Sequence, residues 1–224
     1  MKYLLQDLKV KINDKIYIKD PETSVLGKKI IEYSILMIYE TGIESFTFKK
    51  LGEKIGSNES SIYRYFENKH KLLLYLTSWY WGWLEYQLVF ATNSISIPSK
   101  KLEKAIEIIT RSIQEDSSFT HINEVLLNKI IINEYSRPYL TKEVDKENKE
   151  SCFSIYKRLV VRLQDIIKEV DSTYPYPSSL SSTVIEGALH HHFLKEHFPS
   201  LTNCNEKITP TKYFIDLVFN SLKK

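Results

Sequence analysis

The residues with the clearest chemistry lie in one short N-terminal segment, and their types suit contact with nucleic acid. Two stretches with helical signals, 48–55 and 59–65, are joined by a short turn after Gly56. Such a pair is a helix-turn-helix, whose second helix is built to enter the major groove of DNA. Ser60 and Ser61 supply short side chains at the leading end of that helix, as entry into the groove requires.

Polar side chains farther along the same helix can reach phosphates and base edges. Tyr63, Arg64 and Tyr65 supply hydroxyls and a cation for such contacts. Lys69 lies in the first turn of the next predicted helix, where free backbone N–H groups and its ammonium can together hold a phosphate. The segment therefore predicts a DNA-binding surface.

A purely structural role is the alternative for this segment. Ile62 and Phe66 are four residues apart and are expected to be core residues, whereas Tyr63 and Tyr65 point elsewhere on the helix. Residues 1–72 hold 13 Lys and Arg against 10 Asp and Glu, so the net charge of +3 lies in this segment. The surplus is small and supports an anionic partner only together with the motif.

Composition excludes several other classes of protein. The chain has 224 residues, of which 42% are hydrophobic and 26% charged, as in a globular protein with a substantial core. No apolar run is long enough to span a bilayer, and no export signal is visible, so we expect a cytoplasmic protein. With two cysteines and six glycines, the chain has no disulfide framework and no glycine-rich phosphate loop.

Hydrophobic periodicity predicts an all-α fold of about nine helices. The predicted ranges are 22–41, 48–55, 59–65, 69–92, 100–115, 122–136, 142–171, 179–197 and 210–222. They divide into an N-terminal three-helix module, 22–72, and a larger helical bundle, 73–224. The arm before them, 1–21, alternates apolar and charged residues around Asn13, so it is either a short β-hairpin or an extension without a pairing partner.

The helix-turn-helix resembles that of the TetR family of bacterial transcriptional regulators. Fourteen positions agree with the family pattern: Gly42, Ile43, Thr47, Phe48, Leu51, Gly56, Ser61, Ile62, Tyr63, Tyr65, Phe66, Asn68, Lys69 and Leu72. The chain departs from that pattern at Gly52, Ile55, Ser57 and Asn58, which bears on the operator sequence rather than on the motif. The match is strong over about 24–75 and rests beyond it on helix count and order.

The resemblance implies a ligand-responsive repressor that binds a palindromic operator as a homodimer. Its DNA contacts would come from Thr47, Lys49, Lys50, Glu59, Ser60, Ser61, Tyr63, Arg64, Tyr65 and Lys69. Residues 1–72 would then serve DNA binding, and 73–224 would bind an effector and dimerise. The alternative is a helical small-molecule-binding or protein-interaction module that does not bind DNA.

Two further residue sets have both a functional and a purely structural interpretation. The resemblance suggests an effector pocket from Trp79, Trp83, Tyr86, Phe90, His121 and Tyr156, although aromatic residues at helical spacing are usually plain core. It also suggests a dimer interface from Val184, Gly187, Ala188, His191, Phe214 and Val218, with burial inside one chain as the alternative.

A histidine-rich stretch raises the question of a metal site. It contains His190, His191, His192 and His197, with Glu196 beside them. Consecutive helical residues point about 100° apart, so at most two of the three adjacent histidines share a face. We therefore expect a polar seam between helices, with no metal and no cofactor. No catalytic set of side chains stands out, so we expect no enzymatic activity.

Overall fold

The structure is a computed structural model that describes residues 10–113 and 121–222, and within these ranges it contains α-helices and no strand. The all-α fold expected from the sequence is confirmed. The described α-helices are α1 Val25–Ser45, α2 Phe48–Ile55, α3 Glu59–Tyr63, α4 Lys69–Thr92, α5 Pro98–Thr110, α6 Glu124–Glu134, α7 Val144–Lys149, α8 Ser154–Val170, α9 Pro177–His197 and α10 Pro210–Leu222. Short 3₁₀ helices lie at Asp14–Ile16, Pro21–Thr23 and Pro199–Leu201.

The chain divides into two compact units. Unit 1 comprises Met1–Tyr80 and Ile113–Ser154, and unit 2 comprises Trp81–Ser112 and Ile155–Lys224. Helix α4 contributes its first half to unit 1 and its second half to unit 2. This physical division differs from the functional boundary predicted after residue 72, because α6 and α7 group with the N-terminal helices. The functional division itself stays a prediction.

Several helices begin at side-chain caps that can be read from the sequence. Thr47, Asn58 and Asn123 each accept a hydrogen bond from the backbone N–H three residues further on. Each such bond satisfies a donor that the helix leaves free. The predicted starts of α2 and α3 are confirmed. Ser24 caps α1 in the same way, so α1 begins at Val25 rather than at 22.

Two glycines stop helices where the sequence predicts. Gly56 is the left-handed C-cap of α2, with φ 67° and ψ 37°. Gly42 has φ 75° and ψ 159° inside the bounds of α1, so the regular helix stops there and one further turn follows. Left-handed backbone is nearly free of steric cost only for glycine, which explains both positions.

Helix α4 lies inside the hydrophobic cores of both units. Every residue from Leu72 to Glu85 is buried, as expected for a helix that is apolar around most of its circumference. In unit 2 the carboxylate of Glu85 accepts hydrogen bonds from Arg158 and Arg162 of α8. Burial alone would raise the pKa of Glu85, but these bonds outweigh it and hold the pKa below its usual value.

The predicted long helix at 142–171 is wrong, because it is broken into α7 and α8. Ser151 between them has a left-handed φ of 63°. The N–H of Cys152 donates to the carbonyl of Glu147, and that of Ser151 donates to Asn148. These two bonds are a Schellman motif, which ends a helix. The sequence gives no sign of it, because the left-handed position is occupied by serine instead of glycine.

The predicted β-hairpin is also wrong for the described part of the arm; residues 1–9 lie outside the description. Asn13 begins a 3₁₀ helix instead of a two-residue turn, and its side chain accepts a hydrogen bond from the N–H of Lys15. Ile16 is 1% exposed, and the N–H of Ile18 donates to the carbonyl of Tyr65. The arm therefore packs against helical elements of unit 1.

Other predicted bounds differ at their ends. Helix α5 begins at Pro98 rather than behind a Ser99 cap, because proline fits the first position of a helix. It ends at Thr110, before the predicted end at 115, a residue that lies outside the described ranges. Helices α6 and α9 keep their predicted places with ends shifted by one or two residues.

The predicted dimer patch on α9 and α10 is an intrachain contact. A Cβ at Gly187 would come within 2.8 Å of the Phe214 ring, so the glycine allows the two helices to pack closely. Four side chains of this patch are almost completely buried: Val184, Ala188, Phe214 and Val218. These four side chains leave no surface for a partner, which corrects that part of the predicted interface in favour of burial within one chain. Gly187 and His191 are partly exposed, and their role in an interface stays a prediction.

The left-handed serine generates a stability prediction. The substitution Ser151→Gly should raise the free energy of unfolding by about 0.5–1 kcal/mol, because glycine removes the steric cost of this backbone conformation. Urea denaturation followed by circular dichroism would measure the change.

The matched control is Ser182→Gly in the interior of α9. There glycine should lower the free energy of unfolding by about 0.5 kcal/mol, because it only loosens a helix. If Ser151→Gly also destabilised the protein, the account of the α7–α8 break would be wrong.

Candidate nucleic-acid interface

The turn between α2 and α3 is closed by a close backbone contact at Gly52. A Cβ at Gly52 would lie 3.0 Å from the carbonyl oxygen of Ser57 and 3.2 Å from the N of Glu59. The N–H of Ser57 donates to the carbonyl of Gly52 over 2.8 Å. Alanine is usual here in the TetR pattern, and glycine lets the start of α3 approach α2 closely.

Asn58 organises the first turn of α3. Its Oδ1 accepts hydrogen bonds from the Ser61 N–H at 2.8 Å, the Ser60 hydroxyl at 2.8 Å and the Ser61 hydroxyl at 2.7 Å. Ser61 is 9% exposed, so its side chain is used for this cap and has little surface for a base edge. The predicted base contact of Ser61 is therefore wrong, whereas Ser60 remains exposed.

The inner face of α3 is fixed by burial. Ile62 and Phe66 are each fully buried, as predicted. The Tyr63 ring meets the Phe48 ring edge to face at 5.0 Å, while 46% of Tyr63 stays exposed. The contact with Phe48 limits the movement of Tyr63 and leaves its outer part free to meet a ligand.

The surface around α2 and α3 is basic and polar. The predicted contact residues that are exposed are Thr47, Lys49, Lys50, Ser60, Tyr63 and Arg64. Glu59 is partly exposed and is the one acidic member of the predicted set. Extended cations and hydroxyls beside a protruding helix are the groups that bind a phosphate backbone. This set, defined by its six exposed members, is called the basic face below.

Lys69 is partly occupied by a structural role. Its Nζ donates to the carbonyls of Ile43 at 3.0 Å and Glu44 at 3.2 Å, which lie in the turn that follows Gly42. Its side chain is 42% exposed, so the ammonium still reaches the surface. Lys50 makes a similar bond to the carbonyl of Ser45. Both lysines thus stabilise the C-terminal end of α1.

Tyr65 is the clearest error in the predicted DNA-contact set. It is 3% exposed, its hydroxyl lies 2.7 Å from that of Ser24, and the ammonium of Lys19 lies 5.2 Å from its ring centroid. Helix α3 ends at Tyr63, two residues earlier than predicted. Helical geometry therefore no longer describes position 65, and the chain turns this ring inward.

Sequence reasoning missed a cluster that fixes the start of α4. The buried carboxylate of Glu147 in α7 lies 2.8 Å from Lys71 Nζ and 3.0 Å from His70 Nε2. Burial by itself raises the pKa of Glu147, but hydrogen bonds from Lys71 and His70 outweigh burial and lower it. No sequence signal links positions 76 residues apart. The cluster ties the helix that follows α3 to α7 within unit 1.

The predicted effector residues have mixed surroundings. Tyr86 and Phe90 are 41% and 59% exposed, so they do not line an enclosed chamber, which corrects that part of the prediction. Trp79 and Trp83 are each 4% exposed. Two members have polar partners inside their own units, in the pairs His121 with Glu22 and Tyr156 with Glu186.

The histidines of α9 form a polar seam. His192 Nε2 donates to the carbonyl of Thr110 at 2.8 Å, and burial holds the pKa of His192 below its usual value. His191 Nδ1 lies 3.0 Å from the hydroxyl of Thr202, and its ring lies 5.7 Å from that of Phe214. Within the described ranges, no group of three His, Cys, Asp or Glu side chains is arranged to hold a metal ion.

Residues 30–76 match the family model described as bacterial regulatory proteins, tetR family. This range contains α2, α3 and the start of α4, so the resemblance to the TetR family is confirmed for the helix-turn-helix. No curated protein sequence matches the chain.

Solved structures with the same fold cover most of the chain. AibR, in complex with isovaleryl coenzyme A and operator DNA, is 16% identical over 84% of this chain and 94% of its own, with a TM-score of 0.54. The superantigen PfiT is 16% identical over 90% and 97%, with a TM-score of 0.59. The TetR family transcriptional regulator PfmR from Thermus thermophilus is 14% identical over 87% and 99%, with a TM-score of 0.53. At these identities the likeness concerns the fold alone.

Among the helices in the described ranges, none combines the length and the apolar character needed to cross a bilayer.

The three bonds at Asn58 generate a prediction for the interface. Asn58→Ala should lower the free energy of unfolding by about 1 kcal/mol, because it removes the acceptor that caps α3. Asn58→Asp keeps an acceptor oxygen in the same place and should stay within about 0.5 kcal/mol of the native protein. Urea denaturation of both variants would measure the difference. Equal decreases in the free energy of unfolding would show that the acceptor oxygen at position 58 is not what stabilises α3.

Proposed function

We propose that the protein is a transcriptional repressor that binds a palindromic operator in the cytoplasm as a homodimer and is released by a small molecule. The basic face carries this proposal, because it presents exposed cations and hydroxyls on the element that matches the family model. A regulatory role requires binding rather than catalysis, so no enzymatic activity is proposed.

The proposed DNA contacts are a reduced version of the set expected from the sequence. Thr47, Lys49 and Lys50 at the start of α2 would meet phosphates, together with Tyr63. Ser60 and Arg64 would face base edges from α3. Glu59 and Lys69 remain as partly exposed contributors, whereas Ser61 and Tyr65 act by holding the helix in place.

A homodimer would compensate for the shortness of α3. A helix of five residues offers few side chains to base edges, and two copies on adjacent turns of DNA double the number of contacts. The buried patch between α9 and α10 does not provide the interface. We place it on the outer faces of the same helices, where Thr183, Glu186 and His190 of α9 and Tyr213 and Asp216 of α10 are exposed.

The proposed effector response rests on the fold and on what its relatives bind. AibR, which has this fold, is described in complex with isovaleryl coenzyme A and operator DNA. In this chain an effector would act only by preferring one conformer, with a coupling of about 1–3 kcal/mol. For an effector bound in unit 2, α4 is the element through which we expect binding to reach α3, since it has residues in both units.

The DNA-binding proposal is tested by reversing charges on the basic face. A fragment retained from sheared genomic DNA would provide the operator for a gel-shift titration. The variant Lys49→Glu with Arg64→Glu should bind this fragment about 100-fold more weakly or worse, because a cation facing phosphates and a cation facing base edges are both replaced by anions.

The matched control reverses two exposed lysines of unit 2, Lys100→Glu and Lys207→Glu. Lys100 lies in the first turn of α5, where a glutamate is well tolerated, Lys207 lies in the loop before α10, and the net charge changes by the same amount. This control should keep native affinity, apart from a small general effect of charge. Equal weakening in the two variants would mean that net charge, rather than the basic face, governs binding.

Salt dependence separates DNA binding from the alternative of a protein-interaction module. PfiT, a superantigen, shares the fold, so the fold alone does not decide between the two. If several phosphates are neutralised, the logarithm of the association constant should fall steeply and linearly with the logarithm of salt concentration. Failure to retain any genomic fragment at low salt would favour the alternative.

The dimer proposal is tested by sedimentation velocity at micromolar concentration. The native chain should sediment as a dimer, and Thr183→Glu with His190→Glu should shift it to monomer, because each copy would bring added negative charge to a self-complementary interface. Asn93→Glu with Ser94→Glu adds the same charge to an exposed loop of unit 2 and should leave the dimer intact. A monomeric native protein would contradict the proposal.

A further inference from the structure

A cleft of about 750 Å³ lies in unit 1, beside the N-terminal arm. Its walls come from residues 10–22, from Tyr75 of α4 and from Ser154 at the start of α8. Such a volume is typical of sites for small organic ligands. The cleft shares no lining residue with the effector pocket expected from the sequence, so it is a different candidate for ligand binding.

The lining combines carboxylates with aromatic rings. Among the lining residues that the structure describes, three are acidic, Asp14, Asp20 and Glu22, and one is a cation, Lys11. Rings and carboxylates together attract an organic cation, whereas they repel a ligand that carries several negative charges.

Two tyrosines provide the apolar part of the lining. The rings of Tyr17 and Tyr75 meet edge to face, with 6.1 Å between their centroids. Burial raises the pKa of Tyr75, and the negative charges of Glu22 and Asp20 raise it further. The carboxylates of Glu22 and Asp20 therefore make the electrostatic potential at Tyr75, in the wall of the cleft, more negative. Glu22 also meets His121, whose Nε2 lies 2.9 Å from its Oε1.

The same arm that lines the cleft also holds the end of α3. The Ile18 N–H donates to the carbonyl of Tyr65 over 2.8 Å, and Ser24 meets the hydroxyl of Tyr65 at 2.7 Å. At its other end, the Asn13 amide donates to the carbonyl of Glu150 between α7 and α8. A ligand that displaces the arm would therefore alter the contacts that position α3.

We propose that this cleft binds a small organic cation with an apolar body, and that its occupation changes DNA affinity through the contacts between the arm and Tyr65. The binding step stands on the cleft alone. The coupling step rests on the proposed DNA-binding function, and the two steps are measured separately.

Binding is tested by isothermal titration calorimetry without DNA, with two ions of nearly equal size and shape. Tetraphenylphosphonium carries a positive charge and should bind, whereas tetraphenylborate carries a negative charge and should bind at least about tenfold more weakly. Equal affinity for the two ions, or no binding of the cation, would overturn the proposal.

Neutral variants locate the site. Asp20→Asn with Glu22→Gln should weaken phosphonium binding about tenfold, because it removes two negative charges while keeping side-chain size and the cap at position 20. The control Asp165→Asn with Glu196→Gln removes the same charge from exposed positions of unit 2 and should bind as the native protein does.

Tyr17→Leu provides a second test that leaves every charge in place, and it should also weaken binding. Unchanged affinity in both cleft variants would place the cation elsewhere and refute the site.

Coupling is tested by repeating the DNA titration with the cleft saturated by tetraphenylphosphonium. DNA affinity should change by about fivefold or more. Tyr65→Phe removes the bond to Ser24 and should reduce that change while cation affinity stays the same. An unchanged DNA affinity with the cation bound would overturn the coupling. Failure to bind DNA under any condition would instead overturn the proposed function, and calorimetry would still decide the binding step.

Discussion

The orientation of α3 depends on contacts made outside the helix, because five residues close too few backbone hydrogen bonds to persist alone in water. Ile62 and Phe66 bury its inner side, and Asn58 satisfies its first free donors. Gly52 gives it room beside α2. Each of these contacts also excludes other orientations, so the exposed residues Ser60, Tyr63 and Arg64 face outward as a consequence. The proposed DNA-binding surface is thus the outer side of a well-determined packing arrangement.

The far end of α3 is held differently, by the arm. Tyr65 follows the last helical residue and makes its contacts with Ile18, Lys19 and Ser24. The segment that matches the family model, 30–76, contains both Asn58 and Tyr65 but not this arm, so the residues that hold Tyr65 lie outside the matched segment. In the proposed regulation, displacement of the arm would change the contacts of Tyr65 and leave the cap at Asn58 in place.

The features that could be predicted from the sequence are those that local chemistry determines. Caps such as Thr47 and Asn58, and the stop at Gly56, act within three or four residues, so their effect is readable in the residues themselves. Tyr65 was misassigned because its burial depends on where α3 ends and on an arm more than forty positions earlier. The break at Ser151 was missed because serine rarely takes left-handed backbone. Gly187 was assigned to a dimer interface, although it lets α9 and α10 of one chain pack closely, because the sequence does not say whether a neighbouring helix belongs to the same chain.

The surroundings of the two groups of aromatic residues bear on where an effector would act. Tyr86 and Phe90 lie toward the end of α4 in unit 2 and are exposed. Tyr17 and Tyr75 lie within unit 1, Tyr17 on the arm and Tyr75 on α4, and the arm touches Tyr65 directly through the Ile18 N–H. A ligand changes DNA affinity only if it prefers one of two arrangements of some element of the protein. The arm contacts Tyr65 directly, whereas the second half of α4 is separated from α3 along the chain by the buried first half of the same helix. The arm is therefore the better candidate for that element, since it contributes to both the cleft and the anchor.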